Sequence, residues 1–292
     1  MAYVALSAIV GASYRALLFP APRAVIEPAL SGAELYRIPS EHGEVVALHA
    51  SAKPGEPTIV FFHGNGEDLA DTVLLGRELF DAGVGFCAVE YPGYGLSRAQ
   101  KASEPALYAA AEVALAELER RGVRAESVVL VGQSLGSGVA TELAARGHGA
   151  GLVLIAPFTS IPAVARRFAP FLPLDLLLRD RFDNLAKAPR VVVPTLVVHG
   201  DRDEVVPFEM GRALSEHFPN AELHAVGGAG HNDLYVKDAG LVRKLSSFAR
   251  ASVAERAKLD PPRAREPAEP NEATHHMGSS KAPGASTRHG TN

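Results

Sequence analysis

The chain has 292 residues, of which 47% are hydrophobic and 21% charged, with a formal net charge of −4. That length suffices for one large α/β domain with a sizeable core. The weak acidic balance, without a dense Lys/Arg stripe, argues against nucleic acid as a partner. A single cysteine, Cys87, excludes an intramolecular disulfide; inside the apolar run 84–89 it reads as a buried small hydrophobe rather than a reactive thiol.

Residues 1–19 form an apolar N-terminal segment interrupted by Tyr14 and Arg15. It reaches spanning length only with Arg15 inside it, and no basic residue precedes it as in a secretory signal. The expectation is a soluble, cytoplasmic protein, with a peripheral membrane contact through this segment as the alternative.

A domain over residues 20–255 follows. Strands are expected at 34–38, 44–49, 58–62, 84–90, 127–131, 152–155, 195–199 and 223–226. Residues 103–120 read as a helix: Ser103 can cap it, Pro105 lies in the first turn, and Leu107, Ala111, Leu115 and Leu118 recur at helical spacing. Continuous apolar strands such as 128–131 alternating with helices predict an α/β fold, an eight-stranded, mostly parallel sheet flanked by helices. The first two strands have no helix between them and should form an antiparallel hairpin at one edge. Residues 156–194, rich in Pro, Leu and Phe, suffice for a small helical cap after the sixth strand but not for a large lid. Their apolar side chains suit either an acyl pocket or plain packing. From about Asp260 prolines scatter among polar residues, so 256–292 is expected to be a disordered tail.

The chemistry concentrates in loops after strands. Gly132-Gln133-Ser134-Leu135-Gly136 follows one strand and precedes the helical 137–145. In this G-x-S-x-G context a serine sits on a sharp strand-to-helix turn that exposes its hydroxyl, and glycines two positions either side let the chain pass. The Leu135 N–H at the helix start then points toward any anion formed on a substrate. A serine nucleophile needs a base and a group that orients the base, following it in the order acid, then histidine. His231, in the glycine-rich loop after the last strand, suits the base; His148, His217 and His224 read as surface or packing residues. For the acid, Asp203 lies deeper in its loop, ahead of Pro207, which is expected to open the next helix. Asp201 reads as a brace of the turn. His63, directly on a strand end, precedes the serine and so reads as a shaper of its loop. The following glycines let the Asn65 N–H serve as a second oxyanion donor.

HGNGE (63–67), EYPGYGLS (90–97), GQSLG (132–136), APFTS (156–160), HGDRDEVVP (199–207) and GAGHND (228–233) stand in this order. Together, from about Leu17 to Arg250, they resemble the short-capped α/β-hydrolases of the serine-aminopeptidase type. That group includes membrane-associated bacterial and fungal hydrolases and animal protein depalmitoylases, whose cysteine-rich N-terminus is absent here. The resemblance implies Ser134, Asp203 and His231 as a triad and Asn65 and Leu135 as the oxyanion hole; with no metal-ligand spacing and no phosphate-binding glycine loop in the sequence, a mechanism without cofactor or metal is expected. It implies hydrolysis of a carboxylic ester or thioester through an acyl-enzyme. A peptidase of the aminopeptidase type is the alternative within the group, and a non-catalytic binding protein the alternative outside it. The sequence carries no signal for oligomeric state.

Overall fold

The computed structural model describes residues 1–20, 26–41 and 43–259. In these residues β1 (Ala33–Ser40), β2 (Gly43–Ala50), β3 (Thr58–Phe62), β4 (Gly85–Val89), β5 (Val128–Gln133), β6 (Gly151–Ile155), β7 (Thr195–Gly200) and β8 (Ala221–Val226) form one sheet. Its strand order is β1-β2-β4-β3-β5-β6-β7-β8. β1 pairs with β2 antiparallel, as the missing intervening helix predicts, and β2 pairs with β4 antiparallel. The other pairings are parallel. All eight expected strands are present. β8 starts earlier than its apolar residues suggest, because as an edge strand it keeps Glu222 and Ala225 exposed.

The helices between successive strands from β3 onward make the sheet mostly parallel and leave its central strands buried on both faces. In β5, Val128 and Leu130 join one core while Val129 and Val131 join the other, the two-residue alternation of a pleated strand. The helices are α1 (Ala2–Leu18), α2 (Val73–Asp81), α3 (Glu104–Arg120), α4 (Leu135–Ala145), α5 (Ile161–Ala165), α6 (Leu174–Leu177), α7 (Asn184–Lys187), α8 (Phe208–His217), α9 (Leu234–Lys237) and α10 (Leu241–Leu259). Leu107 and Leu118 of α3, Val139 and Leu143 of α4 and Leu214 of α8 cover one face. Leu79 of α2 and Leu245 and Ala249 of α10 cover the other. The Ser103 hydroxyl caps α3 by accepting from Ala106 N. α10 runs to Leu259, four residues past the boundary expected at 255, since 256–259 are good helix formers and the prolines start only at 261. The rest of the expected tail lies outside the described residues.

α5, α6 and α7 make the small cap between β6 and β7. Helix α1 lies against it. Tyr14 packs with Leu174 and Leu178, and the Asp180 carboxylate accepts from Tyr14 Oη at 2.6 Å, Arg15 Nε at 2.6 Å and the Glu104 N–H at 2.8 Å. Among the described residues no helix is long and apolar enough to cross a membrane.

Candidate active site

Strand β5 passes into α4 through a turn whose apex, Ser134, has φ 48° and ψ −113°. A non-glycine residue holds such a conformation only where its surroundings over-determine it. Here they do: the Ser134 N–H donates to Ile155 O at 2.9 Å, and the turn is too tight for side chains around it. A Cβ at Gly132 would collide with the Gly136 backbone, and one at Gly136 with the Phe62 carbonyl. The two glycines thus allow β5, α4 and the end of β3 to meet at one point.

The loops after β7 and β8 bring two further side chains to the serine. Ser134 Oγ lies 2.9 Å from His231 Nε2, and His231 Nδ1 lies 2.7 Å from Asp203 Oδ2. The ionised carboxylate accepts, so Nδ1 carries the proton and Nε2 is left to accept from the serine hydroxyl. Asp203 is buried, and each oxygen is committed. Oδ1 accepts the backbone N–H groups of Val205 at 2.9 Å and Val206 at 2.8 Å. Burial pushes this carboxyl up, but hydrogen bonds from His199, His231 and the Val206 N–H outweigh it and hold it well below the usual carboxylate range.

The loop after β3 supplies the facing wall. His63 is buried, its Nδ1 2.9 Å from Gly64 O and its Nε2 3.2 Å from Glu90 Oε1. Tyr91 Oη donates to the His63 carbonyl at 2.8 Å and Tyr94 Oη to Asn65 Oδ1 at 2.6 Å. The motifs HGNGE and EYPGYGLS therefore form one unit that shapes the loop. Glu67 closes it, accepting from the Gly64 N–H at 2.6 Å and from Gln133 Nε2 at 3.0 Å. Asn65, Ser134, Leu135 and His231 all border a cavity of about 620 Å³. Its walls are mainly apolar, including Phe158, Ile161, Phe168, Leu172 and Leu178 from the segment between β6 and β7. Helix α1 adds Val10, Tyr14, Leu17 and Leu18.

A family model described as serine aminopeptidase, S33, matches residues 53–182, and one described as alpha/beta hydrolase fold matches residues 175–238. The alpha/beta hydrolase domain-containing protein 17C of Xenopus tropicalis is 35% identical over 217 residues, 70% of this chain and 66% of that protein. The chain belongs to the α/β-hydrolase family. The human alpha/beta hydrolase domain-containing protein 17B is 37% identical over 183 residues, 61% of this chain and 61% of its own length. The chain thus spans about two thirds or less of the relatives it matches. Among solved structures, an esterase from Pyrococcus furiosus superposes with a TM-score of 0.62 at 15% identity, covering 80% of this chain and 97% of its own.

The other candidates of this α/β-hydrolase are engaged elsewhere. His148 pairs with Glu112 at 2.9 Å, His224 with Asp238 at 2.8 Å, and His217 Nδ1 lies 2.7 Å from Ala213 O within α8. Asp201 does brace a turn, accepting from the Gly228 N–H at 2.7 Å and so tying the Asp203 loop to the His231 loop. One residue escapes the sequence reading. His199, at the end of β7, is fully buried, with Nε2 2.9 Å from Val206 O and 3.3 Å from Asp203 Oδ2. Its position four residues before Asp203 was the available signal. Cys87 is buried in β4, its thiol pushed up to about 12 by burial.

Proposed function

We propose that the chain is a serine hydrolase that cleaves a carboxylic ester or thioester of an apolar acyl group through an acyl-enzyme. The observation that carries this reading is the hydrogen-bonded chain Asp203–His231–Ser134, 2.7 and 2.9 Å long, which ends in a mainly apolar cavity. Ser134 Oγ attacks the acyl carbon as His231 Nε2 takes its proton; Asp203 holds the imidazole in the right tautomer and stabilises the cation that forms. The tetrahedral oxyanion is held by the backbone N–H groups of Leu135 and Asn65, in a place where little water competes. The alcohol or thiol leaves with the proton from His231. A water activated by the same imidazole then releases the acid.

An aminopeptidase must also hold a free ammonium group. Among the described residues lining the cavity the sole carboxylate is Glu67, and both its oxygens are already hydrogen-bonded. That favours acyl esters over aminoacyl amides. A fluorophosphonate probe should label the wild type at Ser134 and leave Ser134→Ala unlabelled, and acyl esters and thioesters should turn over faster than aminoacyl amides. Labelling that persists in Ser134→Ala would remove the nucleophile from this reading.

The reading includes a cytoplasmic setting and a peripheral lipid contact in place of a spanning anchor. Large apolar side chains of α1 and the cap stand exposed: Tyr3, Leu17, Phe168, Phe171 and Leu176. Arg166, Arg167 and Arg179 are exposed in the same cap, the arrangement that suits an anionic lipid surface. Wild type should co-sediment with vesicles containing phosphatidylglycerol, and Phe171→Asp with Leu176→Asp should abolish this. Protein that stays wholly in the supernatant would refute the contact.

A further inference from the structure

Helix α1 does more than cover apolar surface. Its C-terminal end is fastened to the proposed reacting centre: Asn65 Nδ2 donates to the Leu18 carbonyl at 2.8 Å, and Asn65 borders the same cavity as Ser134. Its last turn is latched to the cap, where buried Asp180 accepts from Tyr14 and Arg15. Val10 borders the same cavity as Leu18. A helix rises about 1.5 Å per residue, so Val10 and Leu18 lie about 12 Å apart along the axis. The cavity therefore runs along α1, away from the serine, between this helix and the apolar residues of the cap.

We infer that α1 is the ruler of the acyl site, with Leu18 beside the first carbons of a bound acyl chain and Val10 setting how far the chain extends. The inference rests on the serine-hydrolase reading and adds the element that selects chain length. Tyr14 and Arg15, which Asp180 binds, lie between the two wall residues in sequence, so the latch holds the ruler in register with Ser134. A polar wall would not serve: an acyl chain gains by removing apolar area from water, and each methylene barred from an apolar wall costs about fourfold in binding.

The test is the dependence of kcat/KM on acyl length, from butyrate through octanoate to palmitate, as esters of one chromogenic alcohol. Val10→Trp fills the far end and should lower the ratio of palmitate to butyrate turnover by about tenfold or more, the loss of a few methylenes. Val10→Ala, a change no fold should refuse, should move the preferred length upward. Ala12→Trp puts the same bulk at an exposed position of α1 outside the cavity and should keep the wild-type profile. If both Val10 variants keep the wild-type profile, or Ala12→Trp shifts it as much as Val10→Trp does, the ruler is overturned while the hydrolase reading stands. If the wild type hydrolyses no ester and Ser134 takes no fluorophosphonate, the hydrolase reading fails and the ruler falls with it.

Discussion

His199 Nε2 stands 3.3 Å from Asp203 Oδ2, the same oxygen that faces His231 Nδ1 at 2.7 Å, so two imidazoles converge on one buried carboxylate. The His199 proton is on Nε2, between Asp203 and the Val206 carbonyl. The ring is boxed in from behind: a Cβ at Gly211 of α8 would meet its Nδ1, and the Phe208 ring stands edge-on to it at 5.9 Å. His199 thus packs against Asp203 from a position that does not border the cavity. His199→Phe, which keeps a ring and removes the donor, should lower kcat on a soluble ester by about tenfold, the worth of one hydrogen bond to a charged group. Asp203→Asn should cost on the order of 10⁴, as the equivalent change does in a serine protease. Steady-state kinetics on the folded variants checks both; unchanged kcat in His199→Phe would leave its ring a packing residue only.

The depressed Asp203 carboxyl also sets a pH signature of stability. A group whose folded value lies below its unfolded one, about 3.9 for aspartate, stabilises the fold above that pH and loses the contribution as pH falls through the folded value. Burial opposes the depression here, and the hydrogen bonds from His199, His231 and the Val206 N–H overcome it. The stability difference between wild type and Asp203→Asn should therefore be widest from neutral pH down to about 5 and narrow below about 4. Urea midpoints of both proteins at neutral pH, at about 4 and at about 3 measure it. A difference that stays constant or widens on acidification would contradict the assignment.

What could be read in the sequence was local. The turn at Ser134 is legible because its constraints, Gly132 and Gly136, lie within two residues of it. The central strands are legible because their apolar runs are buried on both sides, and the cap because its segment is short and bounded by two strands. The place of α1 was not legible. Its apolar composition suits lipid or protein alike, and the residue that decides, Asp180, is 166 positions from Tyr14. The role of His199 was hidden for a different reason. It is near Asp203 in sequence, but its ring reaches the carboxylate only because Gly211, on a later helix, leaves room for it.

The strain at Ser134 separates function from stability. With φ 48° and ψ −113°, a residue bearing a Cβ pays about 1–3 kcal/mol that glycine does not. Glycine returns about 0.5–1 kcal/mol of that through its greater freedom when unfolded. Both Ser134→Ala and Ser134→Gly lack the nucleophile and should be inactive, so their comparison isolates the backbone. Ser134→Gly should be more stable than Ser134→Ala by about 1 kcal/mol, or roughly 2–4 °C in melting temperature for a domain of this size. Calorimetry of the pair decides it. Equal melting temperatures would mean that the turn carries no net strain.

The latch of α1 predicts an asymmetry between two aspartates of the cap. Asp180 is 1% exposed and accepts from Tyr14, Arg15 and the Glu104 N–H, which fixes the helix and the start of α3 together. Burial pushes its carboxyl up, but the hydrogen bonds from Arg15, Tyr14 and Glu104 prevail and hold it below the usual range. Removing it leaves a buried hydroxyl and a part-buried N–H without their acceptor. Asp175 also meets two arginines, Arg166 and Arg181, but all three side chains are substantially exposed and water can replace the contact. Asp180→Ala should therefore cost about 3 kcal/mol, near the low end for a broken buried pair because Arg15 is half exposed. That corresponds to a fall of roughly 6–12 °C in melting temperature. Amide exchange along α1 should rise in the same variant, since the helix then loses its buried carboxylate anchor and keeps weaker ties such as the Tyr3 bond to Phe171 and the Asn65 bond to Leu18. Asp175→Ala should leave both measurements almost unchanged. If the two variants lose equal stability, or if α1 stays as protected in Asp180→Ala as in the wild type, then Asp180 is not what seats the helix over the cavity.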